Sequence, residues 1–144
     1  HEKCIHTLYC SIVKSIGIDY GTKRVGVAVS DDAGRLAFPK MTLPNDKSLI
    51  GDLVAFIKKE GVSTMVVGES KNSRGEDNTV MRDARWFAEE LKRETGLPVH
   101  FEPEFYSTLE ARRLAEKDGP VDAEAAAIIL TSYLGRINTY DDND

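Results

Sequence analysis

Apolar residues recur along this chain in two rhythms, and the switches between them mark its elements. Ser15–Asp19 is a short apolar run ending in an acid, and Val25–Ser30 alternates small and β-branched residues. Both read as strands, joined as a hairpin through Tyr20-Gly21-Thr22-Lys23, where Gly21 supplies the free φ of a turn. Asp31-Asp32-Ala33-Gly34 predicts a second turn and Leu36–Leu43 a third strand. Pro39 predicts that this strand lies at a sheet edge, where a missing N–H does no harm.

The rhythm then becomes helical. Leu49, Ile50, Leu53, Val54 and Ile57 predict a helix capped by Asn45 or Asp46 and stopped by Gly61. Thr64–Val67 reads as a buried strand, and residues 68–78 as a glycine-containing loop. Val80, Ala84, Phe87, Ala88 and Leu91 predict a second helix from Thr79 to Glu94, ended by Gly96. Pro98–Phe101 is the next strand. Ser107-Thr108-Leu109-Glu110 is a capping box that opens a third helix to Lys117. Asp118-Gly119-Pro120 breaks the chain, and Asp122–Ile137 predicts a final alanine-rich helix. The order β-β-β-α-β-α-β-α-α implies an α/β domain: a mixed sheet with helices on both faces, begun by an antiparallel meander.

With 144 residues the chain fits one domain, which can bury a core without disulfide staples. Residues 1–13 read as an N-terminal tail or extension, 14–138 as the domain, and 139–144 as an acidic tail. Cys4, His6 and Cys10 lie in the first segment. Their spacing is not a paired C-x-x-C and no second half-site follows, so a tail fits better than a zinc site. Glu2, Lys3 and His6 interrupt any apolar core of a leader, and no run has the length of a membrane span. The expected location is the cytoplasm. The net charge of −5 argues against tight, non-specific binding of nucleic acid, though it leaves room for a local basic patch.

The chemistry-bearing residues cluster by position. Asp19 ends the first strand, Glu104 follows the last, and Asp122 begins the last helix. Strand ends and helix starts converge at one rim of a sheet. Three carboxylates meeting there repel unless a cation sits between them, and Mg²⁺ or Mn²⁺ suits their hard oxygens. Each acid also has a structural reading. Asp19 could bond its own turn, Asp122 stands where an N-cap belongs, and Glu104 could be a solvated loop acid. Lys23, Arg24, Lys71 and Arg74 lie in turns near this rim, as phosphate contacts or as ordinary solvated charge. Trp86, beside Phe87 on the second helix, reads as core or partner packing rather than a base-stacking platform.

The run Ile18-Asp19-Tyr20-Gly21-Thr22-Lys23-Arg24-Val25-Gly26-Val27-Ala28-Val29-Ser30 resembles the opening signature of the YqgF/RuvX-type family. Three further segments match in order: Val66-Val67-Gly68 with Gly75, Glu104 with Ser107-Thr108-Leu109-Glu110-Ala111, and Asp122-Ala123 with Ala125-Ala126 and Ile128-Ile129-Leu130. The resemblance implies an RNase H-like fold with a five-stranded mixed sheet. It implies a nuclease whose metal ligands match Asp19, Glu104 and Asp122, acting in pre-16S rRNA 5′-end processing or on Holliday-junction-like DNA. The implied partners are structured RNA or branched DNA, and ribosomal precursor particles, for a monomer or homodimer.

The chain departs from the family pattern beside one acid. Pro103-Glu104-Phe105 stands where many relatives carry Asp-Glu-Arg, and Glu102 is close enough to compete as the ligand. The missing arginine removes a phosphate contact, so the alternative is a catalytically weak nucleic-acid-binding or ribosome-associated module. Asp19-Tyr20-Gly21-Thr22 also resembles the first phosphate loop of actin- and sugar-kinase-like ATPases. Those need two lobes and a second loop, and this chain is too short for both.

Overall fold

A computed structural model describes residues 14–69, 79–103 and 122–142. The predicted capping-box helix, Glu104, Lys71, Arg74 and the cysteine-containing segment lie outside the described residues. Five strands and three helices are described: β1 (Ser15–Tyr20), β2 (Arg24–Ser30), β3 (Ala37–Pro44), α1 (Leu49–Glu60), β4 (Thr64–Glu69), α2 (Thr79–Thr95), β5 (Val99–Pro103) and α3 (Asp122–Asp142). None of these helices is long and apolar enough to cross a membrane.

The sheet order is β3-β2-β1-β4-β5. Strands β1, β2 and β3 form an antiparallel meander, and β4 and β5 run parallel to β1. Alternation along β1 and β2 divides the interior into two layers. Ile16, Ile18, Val25, Val27 and Val29 face α1 and α2, packing with Leu53, Ile57, Phe87 and Leu91. Ala28 and Val66 face α3, packing with Ala126, Ile129, Leu130 and Leu134.

The two layers differ in depth. Branched side chains hold α1 and α2 off the sheet, whereas α3 lies almost on its backbone. A Cβ at Gly17 would stand 2.8 Å from both the Ala126 carbonyl oxygen and the Leu130 Cβ. A Cβ at Gly26 would overlap the Asp122 carbonyl and the Ala123 nitrogen. Only glycine permits that second approach.

Strand β3 is an edge, as Pro39 predicts. Val27 pairs with Met41 and Ala28 with Pro39, so Lys40 is the extra residue of a bulge. Gly61 ends α1 at φ 71°, its N–H reaching the Ile57 and Lys58 carbonyls at 3.1 and 3.3 Å. At the same end, Lys14 Nζ bonds Glu60 Oε1 at 2.9 Å and ties the start of the sheet to α1. The structure differs from the sequence expectation at three ends. Helix α1 begins at Leu49, not beside Asn45 or Asp46. The Asp46 carboxylate instead takes the Ser48 N–H and hydroxyl at 3.0 and 2.7 Å, folding a local turn ahead of the helix. Strand β5 runs on to Pro103, because Glu102 is paired across from Gly68. Helix α3 continues to Asp142, past Ile137. No glycine or proline interrupts it there, and Asn138 Nδ2 donates to the Gly34 carbonyl at 3.2 Å.

Two outcomes test this packing. Gly26→Ala should lower stability in urea titration by about 3 kcal/mol, the upper end of overpacking costs. Gly17→Ala should cost less, because the Leu130 side chain can give. The second concerns pH. The hydrogen bond from Lys14, then the charge of Lys14 beside it, hold the Glu60 carboxyl below its usual value near 4.5. A depressed carboxylate contributes stability above its unfolded value and loses it as pH falls through the folded one. Glu60→Gln should therefore cost less than about 1 kcal/mol at neutral pH. The mutant and wild-type stability curves should converge below pH 4.5.

Candidate active site

Asp19 is the penultimate residue of the central strand β1. Its neighbours Ile18 and Tyr20 belong to the α1/α2 layer, so alternation turns Asp19 toward α3. Directly opposite it in the β1–β2 register is Gly26. Opposed residues of an antiparallel pair project from the same face with Cβ positions about 5 Å apart. The Gly26 position is where the Asp122 backbone rests. The first turn of α3 and the Asp19 side chain therefore share one corner of the sheet, at the end of β1. This is the convergence that strand and helix order implied for two of the three acids; Glu104 lies outside the described residues.

Asp122 carries an unusual oxygen. Its Oδ2 is buried and accepts no hydrogen bond from the described residues. Arg24 Nε stands 3.3 Å away, an ion-pair contact without hydrogen-bond geometry. Charge is compensated there while directional bonding is not. Such an oxygen is poised for a stronger electrophile than a guanidinium edge, and a hard divalent cation is one. The Arg24 side chain is 48% exposed, so its outer nitrogens remain open to solvent while the inner one faces Asp122. Lys23 is exposed on the preceding turn.

That turn is held from the side. The Asn45 backbone N–H donates to the Lys23 carbonyl at 2.9 Å, and Asn45 Nδ2 donates to the Gly21 carbonyl at 2.7 Å. One asparagine thus fixes the segment between Asp19 and Arg24. The sequence suggested Asn45 as a helix cap, so this role was not visible from it.

Glu102 is committed elsewhere. It is buried on the α3 face, accepts a hydrogen bond from Ser132 Oγ at 2.8 Å and forms an ion pair with Arg136. Ser132 lies ten residues along α3 from Asp122, about 15 Å at 1.5 Å per residue. Glu102 is accordingly a structural acid that anchors the far part of α3, not a competitor for the corner at Asp19. Nearby, His100 stacks on Tyr133 with ring centroids 5.4 Å apart. Burial pushes the Tyr133 hydroxyl above its usual value, so it stays a neutral phenol at physiological pH. Glu69, at the end of β4, is bonded by Arg85 at 2.8 Å. Asp31 is a turn acid: the Arg35 and Leu36 N–H groups reach its Oδ1 at 2.8 and 3.2 Å and hold its carboxyl below the usual range. Trp86 is not a core residue, since 65% of it is exposed.

Comparison with known proteins identifies the family. Residues 13–136 match the RuvX family, described as Holliday junction resolvase. A protein of Nitratidesulfovibrio vulgaris named "Putative pre-16S rRNA nuclease" is 38% identical over 132 residues, covering 85% of this chain and 93% of that one. A similarly named protein of Moorella thermoacetica is 37% identical over 136 residues, covering 87% and 96%. Among solved structures, Thermus thermophilus RuvC in complex with a Holliday junction substrate superposes with a TM-score of 0.57 at 18% identity, covering 88% of this chain and 97% of that one. The fowlpox virus Holliday junction resolvase gives 0.55 at 12% identity, covering 86% and 99%. These two likenesses show the resolvase fold. The match along the sequence, together with an acid at the end of the central strand facing the first turn of the last helix, makes this chain a member of the RuvX family of nucleases.

Proposed function

We propose that this protein is a divalent-metal-dependent nuclease that hydrolyses phosphodiester bonds in structured RNA or branched DNA. Its proposed ligands are Asp19, Asp122 and Glu104. The names of its relatives favour action on pre-16S rRNA over junction resolution, and we take the 5′ end as the point of cleavage. One observation carries the reading: a buried Asp122 oxygen that accepts no hydrogen bond from the described residues, on the face toward which Asp19 projects. Mg²⁺ or Mn²⁺ held there supplies a Lewis acid for the phosphodiester and a source of nucleophilic water at neutral pH. In the reaction, water oxygen bonds to phosphorus and one P–O ester bond breaks, leaving a phosphate monoester and a hydroxyl.

The chain's own residues do the rest. Asp19 and Asp122 are fixed by a strand and a helix rather than by a loop, so their spacing changes little when substrate arrives. Arg24 neutralises Asp122 in the free protein and offers its exposed nitrogens to a phosphate oxygen. Lys23 adds a second cation on the same turn, and Lys71 and Arg74 are the further phosphate contacts proposed from the sequence. Pro103 and Phe105 replace two polar family positions beside Glu104, which points to weaker phosphate binding than in relatives that keep the arginine.

The deciding measurement is cleavage of labelled ribosomal RNA precursor and of a four-way junction, side by side, with Mg²⁺ and with Mn²⁺. Asp19→Asn should lower the rate at least about a thousandfold while leaving the fold intact. Glu102→Gln should do the reverse, sparing cleavage and costing about 2 kcal/mol of stability by breaking the Arg136 pair. Full metal-dependent cleavage by Asp19→Asn would refute the mechanism. A wild type that binds both substrates and cuts neither would leave a nucleic-acid-binding module.

A second outcome concerns the metal and Arg24, which face the same Asp122 oxygen. Mg²⁺ should raise the melting temperature of the wild type by linkage. It should raise that of Arg24→Ala further, because the variant's metal-free state has lost its counter-charge. An equal shift in both proteins would place the cation away from Asp122.

A further inference from the structure

On the other face of the sheet from Asp122, a half-open cavity of about 430 Å³ lies between the start of α1 and α2. Tyr20, Asn45, Lys47, Ile50, Trp86 and Phe87 are among its lining. The Tyr20 and Phe87 rings stand 4.8 Å apart and are tilted by 43°, giving the cavity an aromatic wall. Trp86, the only tryptophan in the chain, adds an exposed indole. An exposed indole is ordinary by itself; next to a groove with an aromatic wall it forms a continuous apolar surface that a flat ring can cover.

Two features identify that ring. The first is charge. Lys47 on the rim and Lys23 on the adjoining turn, itself outside the lining, are both exposed; Asp46, the acid on the same rim, is engaged by the Ser48 N–H and hydroxyl, which leaves the two lysines to meet a phosphate backbone. The second is continuity. Asn45 lines the cavity and also binds the Gly21 and Lys23 carbonyls, so this wall and the turn after Asp19 form one unit. Tyr20, another wall residue, directly follows Asp19, with Cα atoms about 3.8 Å apart. Aromatic rings stack on the faces of unpaired bases while neighbouring lysines track the backbone, a combination characteristic of single-strand binding.

We propose that this cavity is a nucleobase pocket, in which Trp86 stacks an unpaired base close to the phosphodiester that is cut. The proposal rests on the nuclease reading and extends it to substrate choice. A base inside a duplex has both faces covered by its neighbours, so the pocket favours an unpaired segment next to the cleavage point.

Because Trp86 is the sole tryptophan, its fluorescence reports on the pocket directly. A short single-stranded RNA, or the DNA of the same sequence, should quench that emission when titrated into the full chain in Ca²⁺. The blunt duplex should quench far less. Moving an abasic site along the strand should remove the quench at one position. Trp86→Ala should weaken single-strand binding, read by anisotropy of a labelled strand, about tenfold. Trp86→Phe should retain most of the affinity, and neither change should lower the melting temperature. If the strands bind and are cut while Trp86 emission stays constant, the pocket assignment fails and the nuclease reading stands. Equal affinity of Trp86→Ala and wild type has the same meaning. If no strand binds the wild type at all, both readings fall. A change in the sedimentation of free Trp86→Ala, with strand affinity unaltered, would make the indole a contact between copies of the chain and overturn the proposal.

Discussion

Helix α3 touches the sheet at backbone distance, and two missing side chains set that distance. Gly17 admits the Ala126 carbonyl and Leu130, and Gly26 admits the first turn of the helix. Any side chain at Gly26 would push the N-terminus of α3 outward and take Asp122 with it. The contact therefore does more than pack one layer. It brings a residue from the last helix beside one from the first strand, across more than a hundred positions of sequence. The buried layer of Ala28, Ala126, Ile129 and Leu130 holds the helix there, and the Glu102–Ser132–Arg136 cluster secures it farther along.

The electrostatics of the corner follow from the same contact. Bringing Asp122 against the sheet removes one of its oxygens from water, and none of the described residues gives it a hydrogen bond. Arg24 compensates the charge from a strand end, while Asn45 holds the intervening turn through its carbonyls. The protein thus separates two tasks. Asn45 fixes geometry with neutral bonds, and Arg24 balances charge with a side chain still half in solvent. The acidic net charge of the whole chain says little about this corner, where lysine and arginine sit on the turn itself.

Much of this was legible in the chain because local rules and tertiary structure agree. Ile16 and Ile18 alternate with Gly17 and Asp19, so the strand, its two faces and its terminal acid could all be read together. Pro39 announced an edge and Gly61 a helix end for stereochemical reasons that need no partner. The misreadings occur where a side chain had a choice. Asp46 has the chemistry of a cap, but it closes a turn on Ser48 before the helix begins. Glu102 looked like a rival to Glu104 as a ligand because its partners, Ser132 and Arg136, lie thirty or more residues away. The helical stripe of α2 puts Phe87 inside and leaves Trp86 off it, but does not say whether Trp86 meets another part of the chain or solvent; it is 65% exposed. Such differences are set by distant packing, which periodicity does not report.

The edge at β3 has a consequence for assembly. An open strand invites the backbone of another chain, which is how sheets extend from molecule to molecule. Pro39 offers no N–H to such a neighbour, and the bulge at Lys40 throws the strand out of regular step. Strand β5, at the other margin, ends in a second proline, Pro103. Both margins are thereby poor templates for strand addition. Runaway polymerisation through these strands is discouraged during folding.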